Sequence, residues 1–168
     1  KAELEGVPED FLSQPGLKTG PDTYTLSPNI TFQYLTVMEN AKSEPARKKI
    51  AIARFNLARK ENAALLQQIL ELRQRIAGLL GYATWADYVI EPKMAKNAAN
   101  ARDFLQRLNP GLQPKFNAEL NEYRQLKAKQ TGDENAQIHV WDWRYYSNQL
   151  KKEKYTVDAE QLRVYFPM

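Results

Sequence analysis

The sequence predicts a nearly all-α fold, a multi-helix chain with at most one short strand, near residues 23–26. Three observations carry this. Leu65, Ile69, Leu72, Ile76 and Leu79 recur at spacings of four and three, an unbroken helical stripe. Helix punctuation recurs along the chain, with Ser43 ahead of Glu44-Pro45, Gly81 after the stripe and Thr84 ahead of "WADYVIE". Only "TYTL", residues 23–26, sets β-branched and aromatic residues between turn signals.

Taken in order, residues 1–28 form an irregular N-terminal segment, with four prolines and three glycines in "GVPEDFLSQPGLKTGPDTYTLSP". Pro8-Glu9-Asp10 suits the opening of a short helix. "NITFQYLTVMENA" reads as a helix with Asn29 as its N-cap, and Ser43 caps the next, with Pro45 in its first turn. That second helix, over 46–58, is apolar on two sides: Ile50, Ala53 and Leu57 on one, Ile52 and Phe55 on the other. Such a helix asks to be sandwiched between neighbours. Asn62 is the expected cap of the striped helix, which Gly81 ends by supplying a left-handed residue. Thr84 caps "WADYVIE", and Pro92 opposes its continuation. Ala101, Phe104, Leu105 and Leu108 share one face of a helix that Pro110 should break. A further helix is lined by Leu112, Phe116, Leu120, Tyr123 and Leu126, and "TGDENAQ" is a polar loop. Then come the aromatic helix "WDWRYYSNQLKK" and a capping-box-like start, Asp158 with Gln161, for "AEQLRVYF". In the aromatic helix Asp142 reads as the N-cap, with Trp141 stapled over Tyr146. The alternative there is functional, with Tyr145 or Tyr146 lining a channel and donating a phenolic hydrogen bond.

Composition narrows the classes. The 168 residues, 43% hydrophobic and 26% charged, suit one soluble helical unit or a piece of a larger protein. Mean hydropathy is −0.64, and no apolar run approaches the roughly 20 residues that span a bilayer, so no membrane association is expected. Absence of cysteine removes disulfides, thiol nucleophiles and thiolate zinc, and fits a reducing compartment, with the cytoplasm as the expectation. The polar, acidic N-terminus shows no signal peptide, although Lys1 as first residue leaves a removed signal or an excised piece open. Net charge is +4 and the isoelectric point near 9.2, yet the basic residues are scattered. In "PARKKIAIARFNLARK" only Arg47 and Arg54 fall near each other, while Lys48, Lys49 and Arg59 lie well round the helix. Solvated surface, not a nucleic-acid face, is the reading.

Chemistry is thin. His139 is the single histidine, so neither a His-Glu-x-x-His zinc helix nor a serine triad is present in full, and beside Trp141 it reads as a loop or packing residue. Glu39, Glu44, Glu61, Glu71, Asp87 and Glu91 show no spacing suited to acid–base work and default to solvated surface or local ion pairs. Met38, Met94 and Met168 read as core filling. No residue qualifies as catalytic or metal-binding, and no substrate-binding residue is assigned.

The order of motifs carries more than any one of them. "LEGVPEDFL", "TYTLSPN", "ENAALLQQILELRQRIAGLLGYATWADYVIEPKMAK" and "VWDWRYYSNQLKKEKYTVDAEQLRVYFPM" run in the order seen in the thimet oligopeptidase, oligopeptidase A and dipeptidyl carboxypeptidase family of zinc metallopeptidases. The sequence resembles that family over residues 4–168. The resemblance implies a parent enzyme of two mostly helical lobes around a channel, cutting short peptides with zinc held by a His-Glu-x-x-His helix beyond the Tyr-Phe-Pro segment. It implies that residues 1–168 form a single helical fragment upstream of that region, inactive and metal-free alone, with the remaining lobes as partners. The alternative is a stand-alone basic helical binding module without enzymatic activity.

Overall fold

The computed structural model describes residues 2–155 and Tyr165. The described residues hold seven α-helices, α1 (Glu9–Leu12), α2 (Thr31–Asn40), α3 (Glu44–Phe55), α4 (Arg59–Leu79), α5 (Trp85–Ile90), α6 (Ala98–Thr131) and α7 (Trp143–Tyr155), with a 3-10 turn at Ala2–Leu4. No strand forms among them, as an all-α chain requires. The expected strand at 23–26 is reduced to one antiparallel bridge, Lys18 with Tyr24. The capping box at Asp158 and the helix after it lie outside the described residues.

Two compact units arise, residues 1–57 with 119–168, and residues 58–118. In the first, α2 places Tyr34, Val37, Met38 and Ala41 on one buried stripe at spacings of three, one and three, the signature of one helix face. They meet Val7, Phe11, Leu12 and Leu17 of the N-terminal segment and Ile50 and Ala51 of α3 in one hydrophobic core. α2 packs against both α3 and α7. Gly6 makes the close approach possible. Its φ is +90°, and a Cβ there would lie 2.5 Å from the Asn40 carbonyl oxygen. Beside it the Lys42 N–H donates to the Glu5 carbonyl at 2.8 Å, pinning the N-terminal segment to the end of α2.

Ser43 caps α3 as expected, accepting from the Ala46 N–H at 3.3 Å. The helix is not sandwiched as expected: on the first apolar side Ala53 and Leu57 are exposed and only Ile50 is buried, and the second side is exposed throughout. Ile50 and Ala51 are buried, while Ile52 and Phe55 are exposed. Asn29 does not cap α2; Ile30 holds that position with no side-chain bond, and the first-turn N–H groups face partly exposed surroundings instead.

In the second unit α4 starts at Arg59, earlier than an Asn62 cap would allow: the left-handed Ala58 (φ 51°) immediately precedes it, and the Asn62 N–H already donates within the helix, to the Ala58 carbonyl at 2.9 Å. Its end is a Schellman motif: Tyr82 N–H to Ala77 carbonyl at 2.9 Å and Gly81 N–H to Gly78 carbonyl at 3.1 Å, with Gly81 at φ +83°. The apolar stripe is present and uncovered, with Leu65, Ile69, Leu72 and Ile76 all exposed and only Ala77 of α4 buried. Thr84 caps α5, accepting from the Asp87 N–H at 3.1 Å. Asp87 in turn accepts from the Thr84 hydroxyl at 2.7 Å and the Ala98 N–H at 3.1 Å, which joins α5 to the start of α6. Asn97 caps α6 through the Asn100 N–H at 2.8 Å.

Pro110 does not break the chain into two helices. α6 runs through Pro110 and Pro114 as one element. Each proline removes one N–H, and the carbonyls left without it belong to Gln106 and Pro110, both exposed, so water takes up what the helix loses. Met38 fills the core as expected, whereas Met94 is fully exposed and Met168 lies outside the described residues.

Candidate functional site

The most ordered polar chemistry in the first unit gathers around Asp142, the residue before α7. Its side chain is completely buried, and it does not cap the helix. One oxygen accepts from Arg47 Nη2 at 2.7 Å; the other accepts from Lys127 Nζ at 2.8 Å and the His139 N–H at 3.1 Å. Arg47 comes from α3 and is 1% exposed, not the solvated residue that its run of basic neighbours suggests. Its Nη1 donates to the Ala41 and Lys42 carbonyls at 2.8 and 2.9 Å, and its Nε to the Trp141 carbonyl at 3.2 Å. The guanidinium plane lies over the Tyr145 ring, 4.4 Å from its centroid.

Lys127, near the end of α6, is the second buried cation. It donates to Asp142, to the Gln137 carbonyl at 2.9 Å and to Glu44 at 2.8 Å, which uses all three of its protons. Glu44 also accepts from the Trp141 indole N–H at 3.1 Å. Two cations and two anions thus close a neutral network across α3, α6, the loop after α6 and α7. Burial alone would raise the Asp142 pKa, but bonds from Lys127 and Arg47 outweigh it and hold the carboxyl below its ordinary value. Glu44 follows the same balance, burial being outweighed by Lys127 and Trp141. For Lys127 burial would lower the pKa, and the bonds to Asp142 and Glu44 raise it instead.

The aromatic residues of the motif also point inward. Tyr145 and Tyr146 are buried and meet edge to face, centroids 5.0 Å apart. Burial, opposed by Arg47, raises both phenolic pKa values, so neither is poised to give up its proton near neutrality. Trp141 is not stapled over Tyr146. Its ring lies against His139, 4.8 Å between centroids, and beneath the Lys48 ammonium at 4.9 Å.

Glu44, His139 and Asp142 bring potential ligand atoms within 4.8 Å of one another. They do not fit zinc. The Lys127 ammonium sits 2.8 Å from both carboxylates, and Arg47 holds the remaining Asp142 oxygen. A metal ion beside those charges would meet a repulsion of about 4 kcal/mol for each unit-charge pair at 4 Å under an effective dielectric of 20. The cation of this cluster is lysine.

The other carboxylates stay apart. Glu39 lies 3.8 Å from Arg144, Glu71 accepts from Gln67 at 3.1 Å, Glu91 accepts from the Tyr82 hydroxyl, and Glu61 is exposed. The residues that local reading missed are Arg47 and Lys127. Both left a signal. Lys127 continues the apolar spacing of Phe116, Leu120 and Tyr123, and Arg47 sits at the fourth position of a helix, where the dipole disfavours a cation.

Comparison with known proteins adds a family. Residues 37–168 match the model of peptidase family M3. The chain is 36% identical to saccharolysin of Saccharomyces cerevisiae, the alignment covering 100% of this chain and 25% of that protein. It is 32% identical to oligopeptidase A of Salmonella typhimurium, over 99% of the chain and 26% of the relative. To dipeptidyl carboxypeptidase of Escherichia coli the identity is 29%, over 99% and 25%. The chain spans about a quarter of the length of these relatives.

Proposed function

The chain belongs to peptidase family M3, and we propose that it forms a non-catalytic helical portion, residues 1–168 acting as one piece, of a zinc-dependent oligopeptidase that hydrolyses short peptides in an enclosed channel. The observation that carries this reading is the family match over residues 37–168, within which the Trp-Asp-x-x-Tyr-Tyr motif turns its charged and aromatic groups inward. Asp142, Tyr145 and Tyr146 are used to hold α3, α6 and α7 together, which is scaffold work. The zinc belongs elsewhere in the parent enzyme, since the one carboxylate–histidine cluster among the described residues is filled by Lys127. Short peptides are the substrates, the remaining lobes of the parent the partners, and the cytoplasm the compartment. A stand-alone basic binding module is disfavoured by where Arg47 and Lys127 go: both are neutralised inside the fold.

The test compares the 168-residue chain with the full-length enzyme, both dialysed, by metal analysis and an internally quenched peptide. The full-length enzyme holds stoichiometric zinc and cleaves; the chain does neither. A chelator-sensitive activity that co-purifies with the chain alone refutes the reading.

A further inference from the structure

Residues 58–118 form a compact unit in which Ala77 is the one buried residue, every residue of that span being described. The unit has helices without a core. Ordering a chain costs conformational entropy at every residue, and burial of apolar surface is what offsets it. The cover that lets these helices stand comes from outside the described residues.

α4 shows how much cover is missing. At about 100° per residue Leu65, Ile69, Leu72, Ile76 and Leu79 stay within about 40° of one line. Leu66 and Leu70 lie about 100° and 140° round from Leu65, so apolar side chains occupy about half the circumference. The opposite side carries Gln67, Glu71 and Gln74. Leu65, Leu66, Leu70 and Leu72 are each more than half exposed. α5 and the turn before it pack at the C-terminal end of the helix, where the Gln74 side chain donates to the Ala83 carbonyl at 3.1 Å and Arg73 lies over the Trp85 ring. In α6, Phe104, Leu105 and Phe116 are exposed as well, so these rings and side chains do not serve as the cover.

We propose that α4 is a core helix of the parent peptidase, covered on both stripes by apolar faces of the parent chain outside residues 1–168. The chain's place in a larger peptidase is the premise, and α4 is the surface through which this portion joins the rest. Length points to that occupant. The family match runs through all of α4, yet the alignments cover 25% and 26% of two relatives, so about three-quarters of each lies outside them. Cover supplied from within one chain avoids the entropic cost of association. The width of the arc decides against a second copy. Two chains zipped along the seam from Leu65 to Leu79 would leave Leu66 and Leu70 bare, because a paired seam uses one narrow stripe.

Hydrogen exchange read by mass spectrometry compares the 168-residue chain with the full-length enzyme. Burying one leucine shifts an opening equilibrium about tenfold to a hundredfold, so residues 65–80 should be protected about a thousandfold more strongly in the full-length enzyme. α2, which has its own core, should be protected in both. Leu72→Gln and Leu70→Gln, one on each stripe, should each lower the urea midpoint of the full-length enzyme or prevent its folding, and leave that of the chain unchanged. Glu71→Gln, on the polar side, should leave both midpoints unchanged. Equal protection of α4 in the two proteins overturns the proposal. So does protection in the chain that climbs with its concentration to the full-length level, or a midpoint that falls with Leu72→Gln and not with Leu70→Gln. Zinc content and peptide cleavage are measured on the same full-length preparation. An enzyme that cleaves yet fails the exchange comparison sinks the cover alone; one that passes it without zinc or cleavage sinks the peptidase reading alone.

Discussion

Replacing Asp142 by alanine distinguishes two physical roles by size. As a helix cap it would be worth about 0.5–2 kcal/mol. In the structure it neutralises Arg47 and Lys127 at 2.7 and 2.8 Å with no exposure to water. Hydrogen bonds to charged groups are worth about 1.5–3 kcal/mol each, and losing two gives roughly 3–6. An independent route agrees, because removing one partner of a buried ion pair costs about 3–5 kcal/mol through the charge left behind. The expected loss for Asp142→Ala is therefore about 4 kcal/mol, read as the shift in urea-unfolding free energy at neutral pH. A double-mutant cycle with Lys127→Met adds a second readout. With the lysine already gone, the same aspartate change should cost measurably less. A loss of about 1 kcal/mol, or additive effects in the cycle, would refute the network and restore the cap. Should the alanine variant fail to fold, Asp142→Asn keeps the shape while removing the charge, and the comparison is made with it.

Acid and base should act on the same network from opposite sides. Asp142 and Glu44 are depressed, so their stabilisation is present above the unfolded carboxylate value of about 4 and lost as pH falls through the folded values; Lys127 is raised, so its share is complete below about 10.4 and lost as pH rises past it. Thermal melts followed by circular dichroism should thus show a plateau between about pH 5 and 10, and a steep dependence inside that window would count against it. Gly6→Ala places a methyl 2.5 Å from the Asn40 carbonyl at a residue with φ +90°, and should cost about 1–3 kcal/mol in the same urea assay; a neutral result would mean that the N-terminal segment moves freely off α2. In the full-length enzyme Tyr145→Phe and Tyr146→Phe should keep turnover within a few-fold, because both rings pack inward around Arg47. A hundredfold loss with intact folding would put a hydroxyl in the chemistry.

What the sequence made legible is what is local. Ser43, Gly81 and Thr84 act within four residues of themselves, and each punctuates its helix as the chain order implies. Pro110 misled because a proline can kink a helix without ending it, and the carbonyls freed at residues 106 and 110 are exposed to water. Ala58 misled for the opposite reason. Nothing in an alanine announces a left-handed turn, so the start of α4 moved ahead of the only plausible cap. Asp142 shows the limit most clearly. Within its own neighbourhood it looks like any cap, and its real partners lie 95 and 15 residues back along the chain. Yet the partners were marked. A lysine on an apolar stripe and an arginine in the first turns of a helix each break a local rule, and together they require a buried anion between them. Asp142, set between Trp141 and Trp143 at the start of an aromatic-rich helix, is the anion that answers both violations.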